Sequence, residues 1–143
     1  MATTISVRNL PIGFQSIISN GSHGILGDEP LETNGTGLGF SPRELLLGAI
    51  GMCKAATVRF IANKRGWPIG DVEVELTMDA VRTDDGGFTT HVKTGIHIQG
   101  ELTQKQKEDL FRHADKCFVV RLIEGDWEFD PPHETKKEEL PAL

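Results

Sequence analysis

Cysteine is scarce in this 143-residue chain: Cys53 and Cys117 stand 64 residues apart, and no CxxC pair occurs. That scarcity excludes a disulfide-stapled scaffold, a zinc ribbon and a thioredoxin motif. Basic charge is not in excess either. The 21 acidic residues outnumber the 15 basic ones, for a net charge of −6, so neither nucleic acid nor an anionic membrane surface is an expected partner. The longest near-apolar stretch, Leu45 to Cys53, falls well short of the about 20 residues a membrane span needs, so no span is expected. The opening Met-Ala-Thr-Thr-Ile-Ser-Val lacks the basic and apolar regions of a secretory signal, which leads to the expectation of a soluble, cytoplasmic protein. There is no GxSxG, Walker A or HExxH, and Gly35-Thr36-Gly37-Leu38-Gly39 lacks the strand that would precede a dinucleotide turn.

With 38% hydrophobic and 25% charged residues, the chain is expected to fold as a single domain of ordinary size. Short β-like runs at Ile5–Val7, Phe14–Ile18 and Gly24–Leu26 are divided by turn residues such as Asn20-Gly21, which predicts a three-stranded meander. Ser41-Pro42-Arg43-Glu44 then reads as a helix start. It has serine at the N-cap, proline at the first helical position and glutamate placed to reach back. The helix is predicted over 42–65, roughly 36 Å long. It is apolar nearly all round in its first half and carries small residues at Gly48 and Gly51. Such a helix must be covered, by its own chain or by a second subunit.

Val72 to Ala80 alternates apolar and polar, as do Val92 to Ile98, with Asp84-Asp85-Gly86-Gly87 between them; this predicts a hairpin. Thr103 and Gln106 form a second capping box, opening a helix that ends near Lys116. Val119-Val120 and Trp127–Phe129 are expected to supply a last strand, and Asp130–Leu143 a charged, solvated tail.

Cys53 lies inside the long apolar helix and Cys117 at a helix end. Two inert core thiols are one reading, since free cysteine is among the most buried residue types. A redox pair is the other: an oxidised thiolate becomes a sulfenic acid, and a second thiol within reach closes a disulfide. Glu44 is the third candidate. Helix capping accounts for it fully, and nine residues of helix put it about 13 Å from Cys53 and on the opposite side. Contact with a reactive cysteine therefore requires a second subunit or a partner loop. A three-ligand metal site from Cys53, His113 and Cys117 rests on one i, i+4 pair.

The run Gly39-Phe-Ser-Pro-Arg-Glu-Leu-Leu-Leu-Gly-Ala-Ile-Gly-Met-Cys53, continued through Lys64-Arg65-Gly66-Trp67-Pro68, resembles the OsmC/Ohr family. These are the osmotically inducible and organic-hydroperoxide-resistance proteins. Ile96-His97-Ile98-Gln99-Gly100 and Ala114-Asp115-Lys116-Cys117 extend the likeness over about residues 14–129. The resemblance implies an α+β fold in which a long central helix carrying a cysteine packs with antiparallel sheets in an intertwined homodimer. It also implies a thiol-dependent reduction of alkyl or lipid hydroperoxides with no metal or flavin cofactor. By position Cys53 resembles the attacking thiol and Cys117 the resolving one, and a dithiol, often lipoyl, serves as external reductant. A non-catalytic small-molecule-binding or redox-sensing relative is the alternative. Two positions depart from the hydroperoxide-resistance pattern. Arg43 follows Pro42 where an acid is usual, with Glu44 one step later. Phe118-Val119-Val120 follows Cys117 in place of proline and a histidine or serine.

Overall fold

The structure is a computed structural model that describes residues 2–136. The chain divides into two compact units, one comprising Met1–Leu45 with Glu128–Leu143, the other Leu46–Trp127.

In the first unit, β1 (Ser6–Asn9), β2 (Ser16–Ser19) and β3 (Gly24–Gly27) form the expected antiparallel meander in the order β1-β2-β3. Their bounds lie one or two residues later than the apolar runs alone suggest at β1 and β2. Asn20 makes the turn, its Oδ1 accepting from the backbone N–H of Ser22 and His23 at 2.9 and 2.8 Å. The loop that follows is organised by Asp28, which is buried. Its carboxylate accepts from the N–H groups of Glu29, Thr36 and Leu38 and from the Thr36 hydroxyl. Those bonds, the Thr36 hydroxyl first, hold its pKa at about 2. Gly39 is needed where this loop crosses β3, because a Cβ there would lie 2.2 Å from the Leu26 carbonyl oxygen. Ser41 and Glu44 then bond reciprocally, N–H to Oε1 at 3.0 Å and N–H to Oγ at 3.3 Å, and start α1 (Pro42–Lys64). Residues 130–136, the start of the expected tail, are exposed without regular structure. Positions 137–143 lie outside the described residues.

In the second unit, α1 ends at Gly66, whose φ of +69° lets Trp67 N–H reach back to the Ala62 carbonyl at 2.9 Å. β4 (Val72–Arg82) and β5 (Phe88–Ile98) pair antiparallel, with Val72 opposite Ile98 and Met78 opposite Val92. Their common apolar face is thereby aligned. α2 (Gln104–Asp115) starts at the Thr103/Gln106 capping box. Val58, Ala62, Ile98, Leu110 and Ala114 form the core, with Trp67, Ile69 and Leu102 packed around it.

One expectation fails. Residues 118–124 form a helix, α3 (Phe118–Glu124), where a strand was expected. Cys117 is extended, with φ −62° and ψ 156°, and its carbonyl accepts from Arg121 N–H at 3.1 Å. That bond sets a helical turn which overrides the β preference of Val119 and Val120. Trp127 adds no strand either; its indole N–H donates to the Leu122 carbonyl at 2.7 Å, folding it back on α3. The apolar length of α1 is greater than its uninterrupted runs suggest. No uninterrupted run is long, yet α1 holds an 18-residue window of mean hydropathy 1.6, enough in length and composition to cross a membrane. Only 28% of that window is buried within the chain, although one face of α1 packs in the core.

Candidate functional site

Cys53 projects from α1 and is half-buried, whereas Cys117 is 1% exposed. The fold presents Cys117 at a joint between two helices. α2 closes as Cys117 N–H donates to the Ala114 carbonyl at 3.3 Å, and α3 begins with Cys117 as its N-cap. Both are free thiols. They are neighbours, and Cys53 is one of the groups that push the Cys117 thiol up. Two early backbone N–H groups of α3 serve the sulfurs: Val119 donates to Cys53 Sγ at 3.5 Å, and Val120 bonds Cys117. The expected helix-to-strand junction is thus a helix-to-helix joint, and the strand reading of 119–120 missed these two donors.

Burial pushes the Cys117 thiol above its ordinary 9.0, and the neighbouring Cys53 adds to the shift. Two effects oppose it, the Val120 N–H and the positive charge of Lys54. Lys54 went unrecognised in the sequence, where it stands beside Cys53 but about 100° round the helix. That direction leads inward. Lys54 is 7% exposed, and its ammonium donates to the Ala114 carbonyl at 3.0 Å, at the C-terminal end of α2. The signal was available: Ile50, Lys54, Val58 and Ala62 are buried at a spacing of four, which places the lysine in the middle of the core stripe.

Two clefts flank Lys54. One of about 350 Å³ is lined by Val92, Thr94, Ile96, Phe111 and Asp115. The other, of about 310 Å³, is lined by Ile50, Thr90, Val120, Ile123 and Glu124. Their walls mix apolar side chains with the threonines and with carboxylates at Asp115 and Glu124.

Glu44 is engaged as the cap of α1, its carboxylate held below the usual range by the Ser41 N–H and hydroxyl. His113 donates from Nδ1 to the Asp109 carbonyl of its own helix at 2.8 Å. Among the described residues no group of three or more His, Cys, Asp or Glu side chains is arranged to hold a metal ion.

Residues 35–130 match the family of OsmC-like proteins. No curated protein matches the chain. Solved structures of the same fold include an OsmC-like protein from Mycoplasma pneumoniae. It has 18% identity and a TM-score of 0.73, with 87% of this chain and 89% of that one covered. An organic hydroperoxide resistance protein OsmC from Legionella pneumophila has 23% identity and a TM-score of 0.67, covering 87% and 90%. The organic hydroperoxide resistance protein OhrB of Bacillus subtilis has 17% identity and a TM-score of 0.65, covering 88% and 93%. At these identities the likeness establishes the mixed α+β fold.

Proposed function

From the premise that the chain belongs to the OsmC-like protein family, we propose that it is a thiol-dependent peroxidase acting on organic hydroperoxides. The observation that carries this reading is two free thiols brought to one joint, one half-exposed and one buried, with Val119, two residues after Cys117, donating its N–H to Cys53 Sγ at 3.5 Å. In the first step the Cys53 thiolate attacks the terminal peroxide oxygen. An S–O bond forms, the O–O bond breaks and the alcohol leaves with a proton. In the second step Cys117 sulfur attacks Cys53 sulfur; an S–S bond forms, the S–O bond breaks and water leaves. An external dithiol, of which a lipoyl group is one, then reduces the disulfide by exchange. No metal or bound cofactor takes part in this scheme. The apolar side chains on the cleft walls, Val92, Ile96 and Phe111, suit alkyl or lipid hydroperoxides.

The active form is a homodimer in this proposal. Met52 is 77% and Phe60 66% exposed on one side of α1, and a second copy would cover them. Glu44 enters only through that dimer, as the acid one copy presents to the other. The setting is the cytoplasm, whose thiol reductants the cycle requires, without nucleic acid or membrane as partner.

Stopped-flow mixing of reduced protein with one equivalent of cumene hydroperoxide tests the scheme. Rapid consumption is expected, with a Cys53–Cys117 disulfide found by peptide mapping. Equal consumption by the Cys53→Ser variant refutes the mechanism. A disulfide formed without turnover under excess dithiol would instead support a redox-sensing protein.

A further inference from the structure

Lys54 is a buried ammonium with one carbonyl partner, and among the described residues no carboxylate lies within ion-pair distance of it. A charge so placed is stable only if something nearby balances it. The end of α2 supplies part of that balance, since its last carbonyls carry partial negative charge and the ammonium bonds one of them. This capping role alone would account for a lysine near the surface. It does not account for one drawn in beside a thiol pair, because any donor at a helix end can be met by water. An anionic ligand in the flanking clefts is a poor counter-charge, because Asp115 and Glu124 line the same clefts and repel it. Those carboxylates lie beyond ion-pair distance of Lys54, and the group tied to the same point is Cys117: its N–H and the ammonium bond one carbonyl, that of Ala114, at 3.3 and 3.0 Å.

We propose that Lys54 is a positioning residue for disulfide closure: fixed at the end of α2, its ammonium stabilises the thiolate of Cys117 as that sulfur attacks Cys53. This rests on the thiol cycle proposed above but assigns Lys54 to its second half only. The groups facing the reacting sulfurs and the lysine are Lys54 and the other thiol from α1, Asp115 at the end of α2, and Glu124 with the Val119 and Val120 N–H groups from α3. Lys54 is the one cation among them.

The test uses closure driven by a reagent other than peroxide, so that it stands apart from the peroxidase reading. Reduced full-length protein is treated with 5,5′-dithiobis(2-nitrobenzoate), which labels the more accessible Cys53. The Cys117 thiolate then attacks Cys53 sulfur, an S–S bond forms, and the thionitrobenzoate bound there leaves as a coloured thiolate. Lys54→Met and Lys54→Gln both remove the charge, and glutamine keeps an N–H donor. In each, this second release is expected to slow about tenfold at pH 7, the equivalent of one unit in the thiol pKa. Its pH profile shifts upward, so that the variants approach the wild type only on the alkaline side of its profile. Lys54→Arg restores the wild-type profile. Labelling of Cys53 in the first phase stays unchanged. Unshifted profiles in both folded neutral variants would leave Lys54 a helix cap and overturn the proposal. Failure of wild-type protein to consume cumene hydroperoxide, with the lysine effect on closure intact, would instead overturn the peroxidase reading.

Discussion

The open side of α1 sets up a test in which one substitution separates two situations by sign and size. Met52 is 77% exposed in the chain alone. Met52→Lys there exchanges one good helix former for another, so the stability of an isolated chain should move by no more than about 0.5 kcal/mol. If a second copy covers this side, the outcome differs. Full burial of a methionine is worth about 1.5–3 kcal/mol. Scaling by the exposed fraction leaves about 1–2.5 kcal/mol per copy. An isologous interface uses the residue twice, so association should weaken by about 2–5 kcal/mol. At about 1.4 kcal/mol per decade this raises the dimer Kd by roughly 30-fold to several thousand-fold. Lysine can turn its ammonium toward the rim of an interface, which favours the lower end. Sedimentation equilibrium over a concentration series reads the Kd, and urea unfolding of dilute protein reads the chain alone. Unchanged association in Met52→Lys, with the wild type dimeric, would refute the idea that this side of α1 is the interface.

Gly48 gives an independent reading, because a Cβ there meets nothing within 4 Å in the chain itself. Gly48→Ala should stabilise an isolated chain by up to about 1 kcal/mol through helix propensity, whereas a partner backbone packed on it would turn that gain into weaker association. Leu110 is fully buried in the core beneath α1, so Leu110→Ala should lose about 2–5 kcal/mol in urea unfolding; a loss under 1 kcal/mol would contradict that packing. Iodoacetamide at pH 8 should modify Cys53 well before Cys117, as followed by peptide mass spectrometry, because burial keeps the Cys117 thiol protonated beyond its ordinary 9.0. With that folded value raised, its contribution to stability is complete below pH 9 and fades as pH climbs through the shifted value. Asp28 has the reverse sign. Its pKa is depressed from 3.8 to about 2, so its contribution is present above pH 4 and is lost as pH falls toward 2; Asp28→Asn should flatten the acid limb of a thermal-melt series.

Features decided within a few residues were legible in the sequence, and features decided across the chain were not. Both capping boxes could be read because each joins residues three apart. The β4–β5 hairpin could be read because its alternation and its Thr83–Gly87 turn are local. Val119 and Val120 look like strand residues on propensity, but the conformation of Cys117 and the Arg121 bond to its carbonyl make them helical. Lys54 shows the same limit. A helical projection gives its direction, but only the end of α2, 60 residues on, gives that direction a partner.

The two thiols were legible in the sequence as a pair, but their difference in exposure was not. Cys53 sits on a long helix anchored in the core and is reached from outside. Cys117 lies sealed between α2 and α3. An oxidant therefore meets Cys53 first, whatever the intrinsic reactivity of either thiol. Once Cys53 is oxidised in the proposed cycle, its sulfur is electrophilic toward the Cys117 thiolate. In the proposed cycle burial sets the order of the two steps, and oxidation of Cys53 creates the electrophile that Cys117 attacks.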